Sequence, residues 1–175
     1  MKHEFGEVRS FDRRTAEQTR TIPFVFSTSD RDRHGTILNQ DGWKLDNFNR
    51  NGIALYCHDA GDSDPDRIIG SAKAWTENGR LLGTITFEPE SVNPLAEKIF
   101  QKCLLKTLKA VSVGFLEIGK GQYRDGTYYY EGQELLEISV VSIPSNAQAL
   151  ARKPVFHSED QRRRWMRVQY LKLKQ

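Results

Sequence analysis

The chain is poor in the features that staple a protein from outside. Two cysteines, Cys57 and Cys103, stand among 175 residues, and neither has metal-ligand spacing to another Cys or His, which excludes a disulfide framework and a cysteine-based zinc site. Both read as reduced, buried small hydrophobes, Cys57 in an apolar strand and Cys103 in a helical pattern. The four histidines, His3, His34, His58 and His157, show no His-Glu-x-x-His spacing, so the sequence disfavours a metallohydrolase and calls for no cofactor. No apolar run approaches the ~18 residues of a membrane span. The start, Met-Lys-His-Glu-Phe-Gly-Glu, lacks the apolar centre of a signal peptide, so the expected location is the cytoplasm, with no membrane partner. No internal repeat or low-complexity tract is present, which excludes a solenoid.

What is present fits one domain with a single core. Charge is uneven: from Arg152 to Gln175 eight basic residues face only Glu159 and Asp160, leaving the remainder net acidic. Asp160 is placed to cap a helix in which Trp165, Met166, Gln169, Tyr170 and Leu173 share one broad face and the arginines another. Two readings of this end stay open from its composition: packing on the domain, and docking to an acidic partner or nucleic acid. Residues 1–20 are polar with poor periodicity and read as a loose arm, leaving 21–151 as the main domain and 152–175 as a basic, helical tail.

Inside that domain the pattern is mainly β. Thr21 to Ser27 reads as a strand whose Pro23 belongs at an edge or a strand start. Asp41 to Asn49, with Trp43, Leu45 and Phe48, reads as a short helix. Arg67–Thr76 and Arg80–Glu88 form a hairpin around Asn78-Gly79, which supplies the positive φ angles of a tight turn. A helix over 93–106 has Asn93 as cap, Pro94 at its first position and Leu95, Ile99 and Cys103 at i, i+4, i+8. A second hairpin, Gln122–Glu131, turns at Asp125-Gly126. About six antiparallel strands with two or three helices predict an α+β fold: a small closed antiparallel barrel surrounded by helices.

Three segments carry candidate chemistry. In Lys109-Ala-Val-Ser-Val-Gly-Phe115, period two puts Val111, Val113 and Phe115 on one face and Ala110, Ser112 and Gly114 on the other. Small neighbours leave room for a backbone to approach the Ser112 hydroxyl. The run Ile53-Ala-Leu-Tyr-Cys-His58 ends in a histidine at a strand end, where sites are built on a rigid edge. In Glu134-Leu-Leu-Glu-Ile-Ser-Val-Val, Glu137 lies among Leu, Ile and Val, and a buried carboxylate needs a charged or hydrogen-bonding partner. Serine as nucleophile, histidine as base and a carboxylate to orient the ring is the set used in acyl-transfer hydrolysis. Oxyanion donors are sought at the Val113 and Gly114 amides and in the loop 144–148, where Asn146 also offers its side chain.

Competing sites fare less well. Cys57 and His58 are neighbours in an extended reading and point to opposite faces, which disfavours a cysteine nucleophile. Asp30, Asp32 and His34 read as a solvated turn before a metal or substrate loop. Ser139 and Ser142 lack a small-residue face and read as plain strand residues.

The residues around these positions resemble the HK97-type prohead serine proteases of tailed phages, relatives of the herpesvirus assembly proteases. His58-Asp59, Ala110-Val-Ser-Val-Gly-Phe115 and Leu136-Glu-Ile-Ser-Val-Val-Ser-Ile-Pro-Ser-Asn146 carry the resemblance, with Asp30-Arg-Asp-Arg-His-Gly-Thr-Ile37 and Ile69-Gly70 upstream. In order and spacing it covers residues 20 to 151. It departs in the Arg-rich loop and in Ser145-Asn146, where the family often has Ala-Asn. The resemblance implies a herpesvirus-protease-like barrel, a Ser112–His58–Glu137 triad and no cofactor. It implies the major capsid protein and its scaffold segment as substrate inside the assembling prohead in the host cytoplasm, self-cleavage, and a homodimer. The alternative is a catalytically inactive assembly or scaffold-type protein of the same fold. Nucleic acid, resting on the basic end alone, is not expected as the main partner.

Overall fold

The computed structural model describes residues 12–61 and 63–151. Most of the expected N-terminal arm and the whole basic tail, with its expected helix, lie outside the described residues. The arm nevertheless ends earlier than its composition implies: Arg13–Thr19 forms α1. Asp12 caps it by accepting from the Thr15 amide, Arg13 pairs with Glu17 one turn on, and Ala16 enters the core. A single small apolar contact on a capped turn leaves no periodicity to detect.

The strands follow as β1 (Thr21–Thr28), β2 (Thr36–Leu38), β3 (Trp43–Lys44), β4 (Ile53–Tyr56), β5 (Ile68–Glu77) and β6 (Arg80–Phe87), then β7 (Ala110–Glu117), β8 (Gln122–Arg124), β9 (Thr127–Tyr130) and β10 (Gln133–Val141). α2 (Asp46–Arg50) and α3 (Pro94–Leu104) are interspersed. The β5–β6 hairpin turns at Asn78 and Gly79, and β8–β9 at Asp125 and Gly126, all four at positive φ as the turn chemistry requires. The helix expected over 41–49 is divided. Gln40 donates to the Leu38 carbonyl at 2.8 Å and accepts from the Trp43 indole at 3.1 Å, and these bonds draw Trp43 into an extended pairing with Gln133, so that only Asp46–Arg50 is helical.

The main sheet runs β1-β6-β5-β4-β10, with β7 on the far side of β10 and β3 beyond β4 on the near side. It is mixed and not wholly antiparallel, because β3 and β4 pair with β10 in parallel, as β2 does with β9 in a second, three-stranded sheet. The intervening chain is long enough to make such crossovers, which a hairpin cannot. The sheet curls into a half-barrel. At one end residues 149–151 bridge the opening between β7 and β1: Val111 N–H donates to Ala149 O, Ala151 N–H to Lys109 O and Val25 N–H to Leu150 O, at 2.9, 2.7 and 3.0 Å. β1, with its Pro23, is indeed an edge strand of the sheet.

Phe24, Phe26, Phe87, Phe100, Ile69 and Ile85 fill the interior. α3 closes it with Ala96, Ile99, Phe100, Cys103 and Leu104 at helical spacing. Asn93 caps α3 through the Ala96 amide and donates to the Asp66 and Ile68 carbonyls, which ties the helix to the start of β5. Arg20 completes the attachment through Glu97 at 2.7 Å, the Phe87 and Glu88 carbonyls and the Phe100 ring.

Candidate active site

β10 decides which side chains meet at the site. Leu135 and Ile138 are both core residues, although they stand three apart and a regular strand would put them on opposite faces. The register with β7 slips between Leu135, opposite Phe115, and Glu137, opposite Gly114. Leu136 is the extra residue of a β-bulge, 51% exposed. The bulge resets the phase, so Glu137 shares a face with Ser139 and not with the core. This revises the expectation of a carboxylate buried among aliphatic neighbours.

On that face Glu137 lies across Gly114, where any Cβ would overlap its carboxylate. Glu137 Oε1 accepts from His58 Nδ1 at 2.7 Å, with the His58 side chain 44% exposed and that of Glu137 13%. A carboxylate on Nδ1 fixes the tautomer with Nε2 facing outward and raises the imidazole pKa above its ordinary value; this hydrogen bond is the largest cause and partial burial opposes it. His58 stands just past the end of β4, not within it. Cys57 and His58 both have positive φ, 55° and 60°, so the expected opposite-face alternation does not apply. Cys57 is exposed, contrary to its reading as a buried hydrophobe, because the strand ends at Tyr56. Cys103 is buried as expected, and burial pushes its thiol pKa up to about 12.

The residue that sequence reasoning passed over is Ser139. Its hydroxyl donates to Glu137 Oε2 at 2.7 Å and accepts from the His58 backbone N–H at 2.9 Å, fixing both partners from a fully buried position. The missed signal is the two-residue spacing from Glu137 to Ser139, which puts both on one face. Ser139 also pairs directly with Ser112 across the strands, so the register carries the serine to the His58–Glu137 pair.

Ser112 is 8% exposed, and its hydroxyl makes no hydrogen bond among the described residues. It is not bonded to His58 here, and His58 Nε2 is also without a partner. Apo sites are often loose in this way. Of the oxyanion candidates, Val113 has its N–H on the side away from β10, as the Val111 to Ala149 bond requires of alternate residues. Gly114 has its N–H on the β10 side. The Asn146 side chain is committed, donating to Thr28 O and accepting from the Gln148 amide.

Ser112 also lines a pocket of about 230 Å³ between β1, β7 and the loop 145–149. Asp30, Asp32 and His34 lie on its wall. Asp32 holds this turn by accepting from the His34 and Thr36 amides, and His34 Nε2 is 3.1 Å from Ser145 Oγ. Arg33 anchors it on the Pro144 carbonyl. Among the described residues no cluster of ligating side chains suited to a metal is found, and no helix is long and apolar enough to cross a membrane.

The architecture is a mainly β, curled half-barrel with a few helices, and it is similar to that of a solved viral protease. That structure is the capsid assembly protease gp21 of bacteriophage T4, with a TM-score of 0.55 over 71% of this chain and 82% of that one, at 14% sequence identity. No family model matches the sequence, and no curated protein matches it.

Proposed function

We propose that the chain is a serine endopeptidase of a tailed phage or prophage, cleaving capsid or scaffold protein, and itself, during prohead maturation. The observation that carries this reading is the 2.7 Å His58–Glu137 pair, held by Ser139, which lies directly across the strands from an unpartnered, buried Ser112. The likeness to a capsid assembly protease supports this reading, and the setting proposed with it is the assembling shell in the host cytoplasm. Ser112 Oγ attacks the scissile carbonyl carbon as its proton passes to His58 Nε2. His58 Nδ1–H stays on Glu137, which stabilises the imidazolium. The Val113 N–H meets the oxyanion. Return of the proton to the leaving nitrogen frees the amine, and a water activated in the same way hydrolyses the acyl-enzyme.

The test is intact-mass analysis of the wild type and Ser112→Ala at high concentration, with and without the cognate capsid protein. Discrete fragments from the wild type alone are expected. Two intact, folded proteins in both conditions overturn the reading in favour of an inactive assembly factor, to which the missing Ser112–His58 hydrogen bond would then belong.

A further inference from the structure

The turn that carries His58 is held from two sides. Cys57 and His58 both stand at positive φ, a backbone that costs free energy for any residue with a Cβ and persists only where its surroundings over-determine it. On one side β10 supplies the restraint: the Val140 carbonyl accepts from the Cys57 N–H at 3.0 Å, and the Ser139 hydroxyl accepts from the His58 N–H. On the other side the restraint is an ion pair. Asp59 follows the histidine directly and bonds Arg67 Nη1 through Oδ2, while its Oδ1 accepts from the Gly61 N–H at 3.4 Å. Arg67 ends the 3₁₀ turn Pro65–Arg67, capped by Asp64, and the next residue, Ile68, pairs with Leu55 of β4. The pair therefore joins the two ends of the β4–β5 connection immediately beside the histidine. With side chains 39% and 51% exposed, it adds little to overall stability. Its placement is more specific: Arg67 Nε is buried with no hydrogen-bond partner among the described residues, so the guanidinium is sunk against the turn and not swung out into water.

We infer that Asp59 and Arg67 are positioning residues, an ion-paired clamp that fixes the His58 turn and so keeps the imidazole on Glu137 with Nε2 free to act as base. This rests on the serine protease reading. The clamp acts through geometry and not through its charges. The corner holds Tyr56, Cys57 and Asp59 on the turn and Asp64, Asp66 and Arg67 at the start of β5, yet the side chain that shifts the His58 ring is Glu137. Without Arg67, the turn is held by β10 alone. The two left-handed residues then relax toward ordinary backbone angles, and the ring swings off its 2.7 Å hydrogen bond to Glu137.

The test uses Asp59→Asn, Arg67→Gln and their double variant, each made in Ser112→Ala so that nothing is cleaved while the His58 ring is titrated by NMR. Acting as point charges, the two residues would shift the ring in opposite directions, down on losing Asp59 and up on losing Arg67. Acting as a clamp, they shift it the same way. Both single variants are expected to bring the His58 pKa down toward the ordinary value of about 6.5, and the double variant no further than either one. With Ser112 restored, kcat on the cognate capsid protein is expected to fall about tenfold or more with little change in KM. Exchanging the pair, Asp59→Arg with Arg67→Asp, is expected to recover part of both effects, and it carries the test if a single variant does not fold. Opposite shifts overturn the clamp. A lower melting temperature with the ring and kcat unmoved makes the pair structural only, which also overturns it. A wild type that cuts nothing refutes the protease reading instead, and the ring titration still decides whether the pair holds the histidine.

Discussion

Glu137 reaches His58 only by lying over the bare backbone of Gly114. The glycine is needed for its missing Cβ, at a site whose backbone is ordinary strand. Gly114→Ala should therefore fold, displace the carboxylate and lower kcat/KM by on the order of 10²-fold or more, the scale of acid–base assistance. Peptide cleavage beside a thermal melt checks this, and full activity in the variant would remove Glu137 from the mechanism.

The His58 pKa is raised chiefly by its hydrogen bond to Glu137. The neutral ring is the working base, so the acid limb of kcat/KM should lie above the ordinary histidine value of about 6.5, and Glu137→Gln should move it down. The stability effect has the opposite pH dependence. A raised folded pKa contributes stability that is fully present below the unfolded value near 6.5 and is lost as pH rises through the folded value. Wild type and Glu137→Gln should thus differ more in melting temperature at pH 5 than at pH 9.

Ser139→Ala removes the hydroxyl that joins the Glu137 carboxylate to the His58 backbone. Leaving these groups unpaired costs on the order of 2 kcal/mol, and the ring loses its orientation. The acid limb should shift down together with a fall in kcat, and Ser139→Thr, which keeps the hydroxyl, should recover part of both. A variant that melts lower with an unchanged pH profile would make Ser139 structural only.

Thiol chemistry separates the two cysteines. Cys57 is exposed and Cys103 buried with its pKa near 12. A maleimide reagent at pH 7 should label one site per folded chain, at Cys57, and both after denaturation, as read by peptide mass. Equal labelling of Cys103 in the native protein would show that α3 opens from the core.

Asn93→Ala tests that attachment without touching the site. It loses the α3 cap and two bonds to the start of β5, so a loss of about 1–3 kcal/mol in denaturant unfolding is expected, with the His58 pH limb unmoved.

The local elements were legible wherever chemistry and geometry coincide within a few residues. Asn93-Pro94 opens α3, and Asn78-Gly79 and Asp125-Gly126 turn the hairpins, because each acts on its own backbone. The residue types proposed for the site were legible for a similar reason, since a serine on a small-residue face and a histidine at a strand end are local patterns. Pairing was not. Nothing within β4 or β10 says that they run parallel, because that depends on the long connection between them. The role of Ser139 was hidden because it needs the His58 backbone, which arrives from another strand. α1 escaped because one buried alanine makes no pattern.

The bulge in β10 sets a rule for lengths in place of a rule for residues. A strand counts its side chains in twos, and Leu136 is the count left over. Removing it would restore regular pairing while Leu135 and Ile138 kept the core and Glu137 stayed over Gly114. Adding a residue anywhere from Glu137 to Ser139 would turn one of that pair inward. The chain is thus more sensitive to spacing downstream of the bulge than to identity within it, and a gap at position 136 is the one length change that β10 can absorb without moving its carboxylate to the other face.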